Sequence, residues 1–419
     1  MIVVPFIYFT LLALFMWYKH KAFDIAVCLA SVYAVSGFFS ILIDVFNLWG
    51  GGGCCDEISI GFIPVFSYCI LITITILPFY NFRSASIQNI ELTNIRLFKI
   101  VSYFFILIFV STVLFTFSTI IEMFQDEDFL AVRSLHYEGY NIIEDLSSKS
   151  LTMYFLNFFP YFFGFLSYVA LLFYFYSIAY MNNKRWFNIL LFLSSFSRVI
   201  YSMLTLDRTQ IIYWILLFIM LYLLFHKQIN KKVLLAPIVI ILSLILVYFL
   251  LITIARFGEK DSGALGGIIQ YAGQPFLNFT YFFDHLIDHK PYFFRLFPLY
   301  NRYLGDNLTL DEYRDMVTAS QGFYVSVFST FLGDIMIDIG HVGMIIYVIL
   351  FYVLCRILLH RKSLETIHFS QLLLLLMLIC NPLHGVFYYR YFNPMEGFYI
   401  VESVILYFLL RYTFTFNQN

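Results

Sequence analysis

A chain of 419 residues would ordinarily hold two or three soluble domains, but 61% of this one is hydrophobic, only 12% is charged, and Phe and Tyr number 52 and 33. A soluble surface needs roughly a quarter of its residues charged, so most of this surface faces something other than water, which excludes a cytosolic enzyme, a secreted disulfide scaffold and a disordered or nucleic-acid-binding chain. The formal net charge of −1 gives no reason to expect a polyanionic partner for the protein as a whole.

Apolar runs of about 20 residues recur along the whole length, the span of a bilayer core. Backbone amides in hydrocarbon must be satisfied within their own segment, so the runs predict helices, and their continuity excludes the alternating strands of a barrel. In chain order about eleven spans are expected, near 2–18, 23–46, 58–80, 98–121, 151–179, 186–203, 210–225, 233–254, 340–359, 367–388 and 396–412. The first has no charge before it and Lys19-His20-Lys21 after it, the reverse of a cleavable signal, and reads as a retained span. Cys28, Cys69, Cys355 and Cys380 fall inside spans and read as small apolar packing residues. Cys54 and Cys55, adjacent after Gly50–Gly53, fit either a strained vicinal disulfide or a tight turn.

Charge alternates between the connections. One set carries most of the lysines and arginines, among them Lys19, Arg83, Lys184, Lys227, Arg356 and Arg411, with only Asp24, Glu91 and Glu365 as acids. The other set carries nearly all the carboxylates. Positive residues favour the cytoplasm, which puts the N-terminus in the periplasm and the C-terminus in the cytoplasm, an arrangement that requires an odd number of spans.

Two outer connections are long, 122–150 and 255–339, and such lengths are usually functional. In the second, Phe276–His289 reads as an amphipathic helix, with Phe276, Phe279, Phe283 and Leu286 on one stripe and Asp284, His285, Asp288 and His289 on the other. Thr309-Leu-Asp-Glu312 is a capping-box pattern opening another short helix. Helices of this kind lie along a membrane surface, forming a partly helical cap.

Arginines on this side ask for an explanation, because positive charge is disfavoured there. Arg198 and Arg208 bracket the sixth-to-seventh turn, Arg256 ends the eighth span, Arg390 lies beyond the tenth, and Arg295, Arg302 and Arg314 sit in the cap. Each either snorkels or pairs with a neighbour such as Asp207, or joins a site for an anionic head group, whose phosphate oxygens suit guanidinium forks. His285 and His289 have the spacing of metal ligands on a helix, without the third ligand or glutamate motif that would make a metal centre; a wet polar face is the alternative. Asp334, Asp338 and His341 stand where the chain re-enters the membrane, either as a base with its orienter or as interfacial caps. No phosphate loop, dinucleotide fingerprint, nucleophile elbow or zinc-protease motif occurs.

Three stretches carry a resemblance to a known family. Leu206-Asp-Arg208-Thr-Gln-Ile-Ile, opening a span, resembles the arginine-bearing helix start of bacterial O-antigen (Wzy-type) polymerases, the oligosaccharide repeat unit polymerases. Ile254-Ala-Arg256-Phe-Gly is similar to that family's arginine exit into its large periplasmic loop, and Ser320–Gly343 resembles its return; Arg390 stands at the family's late periplasmic arginine. The resemblance implies an all-α polytopic fold like the C-type membrane glycosyltransferases, in the bacterial inner membrane. It implies transfer of a growing O-antigen or capsule glycan from undecaprenyl pyrophosphate to the next lipid-linked repeat unit, with no metal or cofactor. The partners it implies are the lipid-linked oligosaccharide, a chain-length regulator and a flippase. Arg208, Arg256 and Arg390 are then the expected cations for the leaving pyrophosphate. Asp334, His341, His285 and Glu259 are the candidates to take the acceptor proton, because the family's loop histidine has no single counterpart here. The neighbouring readings are an O-antigen ligase, using the same donor with a lipid A core acceptor, and a repeat-unit flippase or other polysaccharide transporter. Transporters, however, carry internal repeats and midplane polar residues, and no repeat is evident.

Overall fold

The computed structural model describes residues 1–49, 60–125, 142–181, 183–205, 207–229, 243, 263–287, 289, 291–303, 305, 308–360, 365–392 and 394–412. It is an all-helical membrane protein whose strands, among the described residues, are two three-residue pieces. Five helical stretches among these residues are long and apolar enough to cross a bilayer: Ile25–Val45, Phe62–Ser86, Ile95–Phe117, Leu151–Tyr180 and Thr330–Leu358; Thr209–Phe225 and Phe369–His384 are apolar but shorter. The expected span 233–254, the pair Cys54–Cys55, and Arg256 and Glu259 lie outside the described residues.

The chain forms two compact units. One comprises Met1–Ile87, Phe257–Leu364 and Leu375–Gly397. It holds helices α1 (Val4–His20), α2 (Ile25–Val45) and α3 (Phe62–Asn81). Pro5 sits in the first turn of α1, where a missing amide costs nothing, and Asp24 caps α2 by accepting from the Ala26 amide. The four cysteines Cys28, Cys69, Cys355 and Cys380 are buried and unbridged, as packing residues should be.

The other unit comprises Gln88–Arg256, Glu365–Leu374 and Phe398–Asn419. Its elements run β1 (Asn89–Glu91), α4 (Ile95–Gln125), α5 (Ile142–Ser148), α6 (Leu151–Phe163), α7 (Ser167–Tyr180), α8 (Arg185–Ser194), α9 (Ser197–Met203) and α10 (Thr209–Phe225). Strand β1 pairs in parallel with β2 (Thr366–His368), Ile90 opposite Ile367. Aromatic rings fill the core: Phe98 stacks on Phe173 at 4.4 Å, and Phe369 meets Phe173 edge-on.

The sixth expected span, 186–203, is not one helix. It divides into α8 and α9 at Ser195–Phe196, whose amides make tightened bonds to Phe192 and Leu193. Trp214 of α10 holds that break: its indole N–H donates to the Ser195 hydroxyl at 3.0 Å, and its ring stacks on Phe196 at 4.3 Å. Arg198 therefore opens α9 instead of closing a span.

The segment 255–339, expected as an outer cap, departs furthest from expectation. Its first described element is α11 (Gly263–His285), 23 residues long, and not a surface helix over 276–289. Most of α11 from Ile269 to Phe282 is buried, and it lies against α2. Ser36 and Ser40 of α2 donate to the Ala272 and Gly273 carbonyls at 2.8 and 2.7 Å. A Cβ on Gly273 would stand 2.6 Å from the Phe39–Ser40 backbone, so the crossing needs a glycine. Two short helices follow, α12 (Pro298–Tyr303) and α13 (Leu310–Gln321). The capping box of α13 forms as read: Thr309 accepts from the Glu312 amide, Glu312 accepts from the Thr309 amide, and Tyr313 and Val317 are buried.

The return helix α14 (Thr330–Leu358) begins some ten residues before the expected 340. Gly340, at φ 75° and ψ 176°, divides it into two pieces, in a region of backbone space that only glycine occupies freely. Helix α15 (Phe369–His384) and, after a short turn, α16 (Pro394–Arg411) complete the chain.

Candidate functional site

The first piece of α14 is buried throughout Thr330–Asp338, and it carries Asp334 and Asp338 one turn apart. Asp338 turns the connection after α11. Its carboxylate accepts from three successive amides, Phe294 at 2.8 Å and Arg295 and Leu296 at 3.1 Å each, and from the Tyr313 hydroxyl at 3.2 Å. Asp334 accepts from the Arg295 guanidinium in a buried ion pair, from Ser329 Oγ at 3.1 Å and from the Tyr389 amide at 2.7 Å. Burial alone would disfavour the Arg295 charge, but Asp334, Tyr313 and Asp338 outweigh it and hold the guanidinium above its ordinary value. Burial beside Asp338 likewise raises the Tyr313 phenol well above its usual range.

Two bulky residues with positive φ border this cluster, Phe293 at 55° and Thr330 at 65°. Thr330 is held by the Phe387 carbonyl and Phe293 by the hydrogen bonds of its neighbours to Asp338. Backbone strain persists only where surrounding bonds over-determine it. Both aspartates thus act as anchors for the outer segment. Asp334, a candidate base from the sequence, is engaged here by an ion pair and two further donors.

The two histidine candidates differ from it. His341, on the turn after Gly340, donates from Nε2 to the Phe283 carbonyl at 2.9 Å and meets the Phe283 ring edge-on. That bond requires a proton on Nε2 and leaves Nδ1 outside it. His285 donates from Nδ1 to the Tyr281 carbonyl at 2.9 Å and stacks on Tyr281. Helix α11 ends at His285, and His289 beyond it stacks on Tyr292. The histidines therefore do not share a helical face, and no group of three metal-ligating side chains occurs among the described residues.

Arg390 and Glu396 form a second buried arginine–carboxylate pair in this unit, 3.2 Å apart. Arg390 is only 2% exposed and stands in the turn before α16, with Glu396 in that helix's first turn. Sequence reasoning missed Glu396, and also Asn381 and His384, which are fully buried near the end of α15. The signal for the last two was visible: polar residues inside an apolar run are functional candidates by default.

In the other unit Arg208, 4% exposed, immediately precedes α10. Asp207 caps that helix, accepting from the Thr209 amide at 2.9 Å and hydroxyl at 2.6 Å and from Gln210 at 3.3 Å. Gln210 in turn accepts from the buried Tyr168 hydroxyl at 2.8 Å. Arg198 is held differently, with its guanidinium 4.1 Å from the Phe165 ring centre and 5.6 Å from that of Tyr201. No carboxylate pairs with it among the described residues. Its cation–π contacts hold the charge without neutralising it.

Comparison with family models, with curated proteins and with solved structures finds no match to this chain.

Proposed function

We propose that this protein is a membrane glycosyltransferase that polymerises lipid-linked oligosaccharide repeat units, transferring the growing glycan from undecaprenyl pyrophosphate on the periplasmic face of the bacterial inner membrane. One observation carries the reading. Arg208 and Arg390 are each almost wholly buried; Arg208 immediately precedes an apolar helix and Arg390 stands in the short turn before another, at ends that the charge pattern assigns to the outside.

A helix N-terminus already favours anions through its free amides and dipole. A guanidinium added there gives a fixed, partly desolvated cation with a planar donor fork, suited to a diphosphate that gains charge as it leaves. Asp207 and Glu396, in the adjoining turns, fix the local backbone and side chains. The acceptor hydroxyl would lose its proton to His341 or His285, each of which has a second ring nitrogen outside its bond to a backbone carbonyl; Arg256 and Glu259 keep the roles that the resemblance implies. The expected partners are the lipid-linked oligosaccharide, a chain-length regulator and a flippase.

Purified protein supplied with a polyprenyl-pyrophosphate-linked repeat unit should produce a ladder of longer lipid-linked glycans without added metal. Unextended donor under all conditions would refute the assignment. A ligase would instead leave the ladder intact and require a lipid A core acceptor. The transporter reading gains one specific observation, the burial of Asn381 and His384 within α15. A transporter would move the lipid-linked unit across a vesicle membrane without lengthening it.

A further inference from the structure

Helices α3 and α14 end beside one another at the face opposite the candidate site, and a cavity of about 160 Å³ lies between their last turns. Pro78, Asn81 and Phe82 line one wall; Arg356, Leu359 and His360 line the other. The charge asymmetry places this end in the cytoplasm.

Arg356, in the last turn of α14, and His360, two residues beyond its end, both line this cavity. Both are exposed, and no carboxylate pairs with either among the described residues. A basic residue in the last turn of a helix is ordinarily explained by the helix dipole. Here the local backbone groups are in part already served: Asn81 donates to the Leu77 carbonyl at 3.2 Å, and the Phe82 and Leu359 amides bond back to Phe79 and Cys355. The dipole accounts for one charge at this end of α14, and it does not account for a cavity with a guanidinium and an imidazole on its rim. By helical geometry Val353 and Ile357 lie to one side of Arg356 on α14, 44% and 68% exposed. An apolar, outward-facing flank adjoins a small cationic cavity.

We propose that this cavity seats the phosphate of an anionic glycerophospholipid of the cytoplasmic leaflet, with Arg356 and His360 on the phosphate and an acyl chain along Val353 and Ile357. A polar recess beside a lipid-facing helix flank is where a lipid headgroup binds between helices. The site is independent of the glycosyl transfer proposed above.

The test is native mass spectrometry of the full-length protein in detergent, titrated with phosphatidylglycerol, phosphatidylcholine or soluble glycerol phosphate. One phosphatidylglycerol should be retained in preference to phosphatidylcholine. Joint Arg356→Gln and His360→Gln substitution should weaken that retention by about fivefold to tenfold, while Arg411→Gln, also basic but at another helix end, should leave it unchanged. If the double variant does not fold, His360→Gln alone carries the test, with a loss of about threefold expected. Unchanged phosphatidylglycerol binding in a folded variant, or equal retention of phosphatidylcholine, would overturn the proposal. Glycerol phosphate binding as tightly as the lipid would overturn the lipid as its source.

Discussion

Arginines in the two units are held by different means. Around α14, Arg295 and Arg390 each lie against a carboxylate, Asp334 and Glu396. Around α9, Arg198 lies between aromatic rings and has no ion pair among the described residues. A buried ion pair is stabilising chiefly in the sense that removing one partner strands the other. A guanidinium held by π-faces keeps its full charge for an incoming anion. The first arrangement fixes a guanidinium beside a carboxylate; the second holds it by aromatic faces alone.

That contrast breaks most visibly at Asp334. Asp334→Asn should destabilise the protein by about 3–5 kcal/mol, because Arg295 is left as an uncompensated buried charge, and thermal unfolding in detergent should show it. Arg198→Leu, by comparison, should leave the unfolding temperature nearly unchanged and reduce glycan elongation. Equal thermal losses in the two variants would erase the distinction between the units. At Gly340 the cost is purely conformational, since a Cβ there would meet nothing within 4 Å. Gly340→Ala should therefore cost about 1–3 kcal/mol, read by the same melt, and a neutral result would mean that the break in α14 is not maintained in solution.

How much of this was legible in sequence follows from the range of the interactions. Helix positions, the capping box of α13 and the buried cysteines depend on residues a turn or two apart, and their periodicity shows. The pairing of Arg295 with Asp334 crosses 39 residues, so nothing in either neighbourhood announces it. Helix α11 was misread because its burial comes from Gly273 and the serines of α2, a packing motif of small residues that lacks a strong apolar signature. Asn381 and His384 were legible and were passed over amid the apolar run around them.

The smallest effect concerns pH. Hydrogen bonds from the Thr309 amide and hydroxyl hold the exposed Glu312 carboxyl below its ordinary value. The stability it adds to α13 is present above the unfolded-state value and is lost as pH falls through the lowered folded one. Hydrogen-exchange protection across Leu310–Gln321, corrected for the intrinsic rate at each pH, should fall in that acid window for the wild type, and Glu312→Gln should remove the dependence.

The most direct test is the rate of repeat-unit addition by purified Arg208→Lys and Arg390→Lys variants, given a polyprenyl-pyrophosphate-linked donor. Lysine keeps the charge and loses the fork, so elongation should fall by about 10²–10³-fold in each while both proteins remain folded. Wild-type ladders from both variants would mean that these side chains only anchor their helices.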